Sequence, residues 1–205
     1  MNAIIESSLK KGISYNAYRD LVRELAENKS TTGLEKTEAL VDYTKVNDRR
    51  MKRWDKTIKL SDDSQQKIKE FEKDITWLVI AESWCGDAAH VLPALNKIAE
   101  LNNHIKMKIV LRDENLNLMD EFLTHGARAI PKLIMIDDKS GEVLSTYGPR
   151  PSEATHYVNR FKAQYGALTP EFKEDLQHWY NGNKAKNIIE DVTEILSQLE
   201  PTVYQ

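Results

Sequence analysis

One segment of this chain carries residue types that could do covalent chemistry: Ser83-Trp84-Cys85-Gly86-Asp87-Ala88-Ala89-His90, with the chain's single cysteine at its centre. A thiol between an apolar strand and the first turn of a helix is placed to act as a nucleophile toward disulfides. A two-thiol exchange site needs a second cysteine three residues on, to resolve the mixed disulfide. Ala88 stands at that position, so the two-thiol route is closed.

The polar neighbours offer partners, each with a plainer reading beside it. Asp87 could accept a proton for a resolving thiol, or cap the helix amides as carboxylates commonly do. His90 lies five residues after Cys85, about one and a half helical turns away. That spacing places it poorly as a base, and a surface histidine is expected. Glu82 follows the strand and is expected to be exposed. Trp84 offers an apolar indole edge to a ligand, or packs half-buried. Gly86 would let the turn tighten and a partner backbone approach. Arg128, three residues before Pro131, could face the thiol and bind a carboxylate or an anionic tripeptide thiol, or sit solvated on its loop. Cys85, Asp87 and His90 have neither the number nor the spacing of a zinc site, and no metal or cofactor is expected.

The segments that must position these residues are legible from periodicity. Ile75 to Ala81 is short, apolar and β-branched, as a central strand should be. Val91, Leu92, Leu95, Ile98 and Leu101 form a helical stripe interrupted by Pro93, where a kink is expected. Ile105 to Leu111 reads as a second strand and Leu116 to Leu123 as a short helix. Lys132 to Asp137 is a third strand, Asp138 to Gly141 a hairpin turn, and Glu142 to Tyr147 the antiparallel return. Ser152 is expected to cap a helix running through Tyr165. This order is mixed α/β with at least one crossover unit.

Both flanks read as helical. Tyr15, Tyr18, Leu21, Val22 and Leu25 recur at helical spacing, Thr37 is a cap for a helix through Tyr43 and Met51, and the Ser61–Ser64 cluster caps another. In the tail, Thr169-Pro170-Glu171 is a helix start. Asn181-Gly182-Asn183 is expected to interrupt that helix, and Ile188 to Leu199 carry an apolar stripe that must pack. The division expected is a helical segment 1–74, an α/β core 75–166 and a helical segment 167–205.

Composition bounds the function classes. The chain of 205 residues is 30% charged and 40% hydrophobic, with a net charge of -3. Acidic residues interleave the basic ones, which argues against a nucleic-acid binder carried by bulk charge. No apolar run reaches the roughly 18 residues of a membrane span. The first residues lack a basic n-region and a long apolar stretch, so no secretory signal and a cytoplasmic location are expected. A lone cysteine agrees with a reducing compartment.

Trp84-Cys85-Gly86-Asp87-Ala88 after a strand, Ile130-Pro131 before another, and Gly141 in the hairpin resemble the thioredoxin-fold superfamily. Pro131 lies 46 residues after Cys85, a gap close to the one the fold uses. Arg112-Asp113-Glu114-Asn115 and Tyr147-Gly148-Pro149-Arg150-Pro151 are similar to a bacterial subgroup with long helical extensions, whose members often carry Trp-Cys-Gly-Asp-Cys. The resemblance implies a three-layer α/β/α fold, a mixed sheet and added terminal helices. It implies that Cys85 sits at a helix N-terminus, where amides and dipole lower a thiol's pKa, with the Asp87 carboxylate opposing. It also implies a cis Pro131 facing the thiol and leaving the Ile130 backbone free to pair with an extended peptide. Cys85 and Asp87 would carry the chemistry, with Trp84, Gly86, Ile130, Pro131 and Arg128 around the substrate.

Three functional classes remain. The first is monothiol thiol-disulfide exchange, with a small thiol or a protein disulfide as partner. The second is a redox-inactive module that holds a peptide or protein between Trp84 and Pro131. The third is a scaffold whose helical flanks form the interface.

Overall fold

The computed structural model describes residues 2–200. Four helices come first: α1 (Ala3–Lys11), α2 (Tyr15–Glu27), α3 (Glu38–Thr57) and α4 (Asp62–Glu70). The central part runs β1 (Ile75–Ala81), α5 (Ala88–Ala99), β2 (Ile105–Leu111), α6 (Leu116–Glu121), β3 (Lys132–Asp137) and β4 (Val143–Tyr147). Then come α7 (Ser152–Tyr165), α8 (Pro170–Asn183) and α9 (Lys186–Leu199).

The strands form one sheet in the order β2-β1-β3-β4. β1 pairs parallel with β2 from Ile75–Ile105 to Ala81–Leu111, and antiparallel with β3 from Ile75–Asp137 to Ile80–Lys132. The β1–β2 step needs a crossover, and α5 supplies it. Every side chain of β1 is buried. Because strand side chains alternate between faces, the sheet is covered on both, and an unbroken apolar strand is the sequence that fits. The α/β class, the mixed four-stranded sheet and the flanking helices all match the sequence expectation. The loop after α1 closes the β2 edge: Ile13 and Ile109 exchange backbone hydrogen bonds of 2.9 and 2.8 Å.

Pro93 lies inside α5, buried, and the helix runs through it to Ala99. Two local expectations need correction. Ser152 is the first helical residue of α7 rather than its cap. Pro151 takes the cap position, while the Ser152 hydroxyl donates to Asp191 Oδ1 at 2.7 Å. The break in the tail falls after Asn183, at Lys184 and Ala185, both left-handed; Gly182 remains inside α8.

The flanking helices are part of the wall around the β1–α5 turn. On α3, Thr44, Asn47, Met51 and Trp54 are buried at three- and four-residue spacing, so one face packs inward. That face lies against α2 and α5. On α8, Phe172, Leu176 and Tyr180 do the same.

Candidate functional site

The turn between β1 and α5 is held by Ser83. Its hydroxyl lies 2.8 Å from Thr44 Oγ1 and 3.2 Å from Thr31 Oγ1, and it accepts from the Thr32 amide at 3.0 Å. Its amide donates to Thr32 Oγ1 at 2.8 Å, and its carbonyl accepts from Asn47 Nδ2 at 2.9 Å. All its polar groups are therefore satisfied from residues outside the sheet. Replacing Asn47 by alanine leaves the buried Ser83 carbonyl without its donor. That is expected to cost about 1–3 kcal/mol, read as a lowered midpoint in urea unfolding.

Cys85 follows at 8% exposure. Its Sγ donates to the Ile130 carbonyl at 3.3 Å and accepts from the Ala88 amide at 3.5 Å. The thiol is pushed up to about 12, first by burial and then by the Asp87 carboxylate; the Ala88 amide and Arg150 pull the other way without prevailing. The expected thiolate at a helix N-terminus is thus not what the fold provides. Desolvation outweighs the amides, because only the charged form suffers from burial. The S–H donation to a carbonyl is the geometry of a neutral thiol.

Asp87 is the residue before α5, yet its side chain makes no capping bond. Instead Oδ2 pairs with Arg150 at 2.7 Å and Oδ1 accepts from the Tyr180 hydroxyl at 2.8 Å. Burial raises its pKa, while Arg150 and Tyr180 oppose the rise. The helix-cap reading of Asp87 is therefore replaced by an ion pair that ties the turn to α8 and to the loop before α7.

His90 is 3% exposed, not on the surface. It stacks on Tyr180 with ring centroids 4.1 Å apart and planes 2° from parallel. Trp54 Nε1 donates to its Nδ1 at 2.8 Å. An indole can only donate, so Nδ1 accepts, and Nε2 carries the proton toward Gln177 Oε1 at 3.1 Å. Burial, with Arg50 and Arg53 nearby, lowers its pKa to about 3. It is a neutral packing residue. Glu82, expected exposed, is fully buried; burial raises its pKa, and its Oε1 accepts from the Asp113 amide at 2.9 Å.

A cavity of about 510 Å³ opens beside the thiol. Trp84, Cys85, Gly86, Asp87, Arg128 and Ile130 line it, so six of the seven expected residues meet there. Pro131 is cis as expected, but it is buried and does not line the cavity. The Ile130 carbonyl, expected to be free for a guest backbone, is taken by the thiol. Arg128 is exposed and forked onto Asp120, at 2.6 and 2.9 Å, rather than committed to the sulfur. Trp84 is half-buried and lies under the Arg112 guanidinium, 4.9 Å from the ring centroid. Gly86 has ordinary backbone angles, and a side-chain carbon there would meet only Arg50 Nη1 at 3.6 Å. A glycine is not needed for that turn.

Arg50, Arg150, Gln177 and Tyr180 also line the cavity and were not foreseen. They come from α3, from the loop before α7 and from α8. No local spacing in the sequence links those segments to Cys85. Among the described residues no group of three His, Cys, Asp or Glu side chains could hold a metal ion. No helix among them is long and apolar enough to cross a membrane.

Comparison with known proteins agrees with the fold. The protein of unknown function PA1234 from Pseudomonas aeruginosa superposes with a TM-score of 0.60 at 19% identity, over 76% of this chain and 86% of that one. An HIV epitope-scaffold crystal structure superposes with a TM-score of 0.58 at 18% identity, over 92% of this chain and 100% of that one. No curated protein sequence matches the chain. A family model described as thioredoxin matches residues 33–165, which takes in α3, α4, the whole sheet and α7. With well over half its length in that match, and Cys85 at the β1–α5 turn, the chain belongs to the thioredoxin family.

Proposed function

We propose that this chain is a binding member of the thioredoxin family, receiving a guest in the cavity beside an un-ionised Cys85. The state of the sulfur carries this reading: it is buried, donates to the Ile130 carbonyl, and is pushed up to about 12. A thiol raised that far is held protonated at pH 7, and the thiolate is the nucleophile. With Ala88 at the resolving position, a mixed disulfide could not be released from within the chain.

A second reading, monothiol exchange, is favoured by the sulfur's place on the cavity wall and by the Ala88 amide aimed at it. A guest disulfide would be attacked by the Cys85 thiolate. One sulfur of the guest would leave as a thiolate and take up a proton, matching the one Cys85 loses to solvent. A second small thiol, as its thiolate, would then attack the guest sulfur of the mixed disulfide, form a new disulfide with it, and release Cys85 to take up the proton the incoming thiol lost.

Iodoacetamide alkylation of Cys85 across pH separates the two. The binding reading expects slow alkylation at pH 7–8 and a rate still climbing above about pH 10. A plateau reached below about pH 8, with a mixed disulfide seen by mass spectrometry after glutathione disulfide is added, would overturn it in favour of exchange.

A further inference from the structure

The cavity carries positive charge that the described residues neutralise only in part. Five of its lining side chains are cationic (Arg50, Arg112, Arg128, Arg150 and Lys173), while Asp87 is its one carboxylate. Asp87 is taken by Arg150, and Arg112 and Arg128 are taken by Asp113 and Asp120. Arg50 and Lys173 make no ion pair among the described residues. Lys173 is exposed, so water serves it. Arg50 is half-buried, and its one side-chain hydrogen bond among the described residues runs from Nη1 to Asn47 Oδ1 at 2.9 Å. A guanidinium has five N–H groups in a planar fork, so most of its donor capacity is unused.

Arg50 is also positioned. Asn47 is fixed by donating to the Ser83 carbonyl, which aims its Oδ1 at Arg50. The guanidinium therefore lies over Gly86, the residue after Cys85. Arg150, on the same wall, keeps a buried Nε with no acceptor. Leu40, Leu168 and Leu176 supply apolar wall nearby. The volume falls within the range of about 300–1,000 Å³ that holds small molecules. Partly desolvated, uncompensated donors beside apolar surface fit a guest with an anionic head and an organic body.

We infer that the cavity binds a small organic oxyanion, a carboxylate or a phosphate ester, with Arg50 as the main anion contact and Lys173 adding longer-range attraction. This rests on the binding reading of the site and names its ligand class.

Two probes test it by isothermal titration: S-methylglutathione, which bears carboxylates and cannot exchange, and inorganic phosphate. Binding of the first alone assigns a carboxylate guest, and binding of phosphate alone a phosphate-bearing one. Arg50→Gln keeps a donor for Asn47 and is expected to weaken the bound probe about tenfold or more. Lys173→Glu, at an exposed position on α8, is expected to weaken it about threefold to tenfold, with a loss that shrinks as salt is raised. Neither probe can form a mixed disulfide with Cys85, so this outcome is separate from that of the alkylation experiment. No heat from either probe at millimolar concentration, or affinity unchanged in both charge variants, would overturn the assignment.

Discussion

Replacing Gly148 by alanine is expected to cost about 3–5 kcal/mol and to lower the melting temperature by about 10 °C. Gly148 links β4 to α7 with a φ of +106°, a backbone region that side chains rarely occupy. A methyl group there would drive into the carbonyl oxygen of Pro131 and lie 3.3 Å from its carbonyl carbon. Both groups are backbone, so neither can swing aside as a flexible side chain would. Relief has to come from parting the two loops. Pro131 follows Ile130, whose carbonyl receives the Cys85 thiol. Faster Cys85 alkylation should therefore accompany the loss of stability. A variant melting within about 2 °C of the parent would show that the loops are not in this contact.

Acid is the second large lever. His90 drops from an ordinary 6.5 to about 3 in the fold. Between those pH values the unfolded chain binds a proton that the native chain refuses. The stabilisation is therefore complete above about pH 6.5 and is lost as pH falls toward 3, by roughly 4–5 kcal/mol. Carboxyls raised by burial, Glu82 and Asp87 among them, act in the opposite sense, so the comparison needs a reference. His90→Phe retains a ring against Tyr180 and removes the titration, at the expense of the Trp54 and Gln177 hydrogen bonds. Urea unfolding at pH 7 and pH 4 should show the parent losing several kcal/mol more than this variant. Equal losses would place the His90 proton elsewhere.

The sheet was legible because its strands obey period two or are apolar throughout. Ile75–Ala81 and Ile105–Leu111 came out with the bounds read from pattern. The cysteine turn and the cis Ile130-Pro131 bond were legible through the family resemblance. What escaped were properties set by distant packing. The shift of Cys85 depends on its burial, and no feature within the Trp84–Ala88 motif reports how deep it lies. His90 looked like a surface residue by spacing, but Trp54, 36 residues earlier, and Tyr180 in the tail enclose it. Asp87 sits at a cap position, yet a charged partner from another element outbid the local amides. Arg50 lies on a helix whose amphipathic stripe says which face is inward, but not that a cavity waits beside it.

The cluster of hydroxyls around Ser83 bears on where this molecule can be cut. A fragment beginning at the first strand would strip away Thr31, Thr32, Thr44 and Asn47 together. It would also lay bare the side of α5 against which α3 packs. The leading helices thus serve as the mould in which the cysteine-bearing bend is cast.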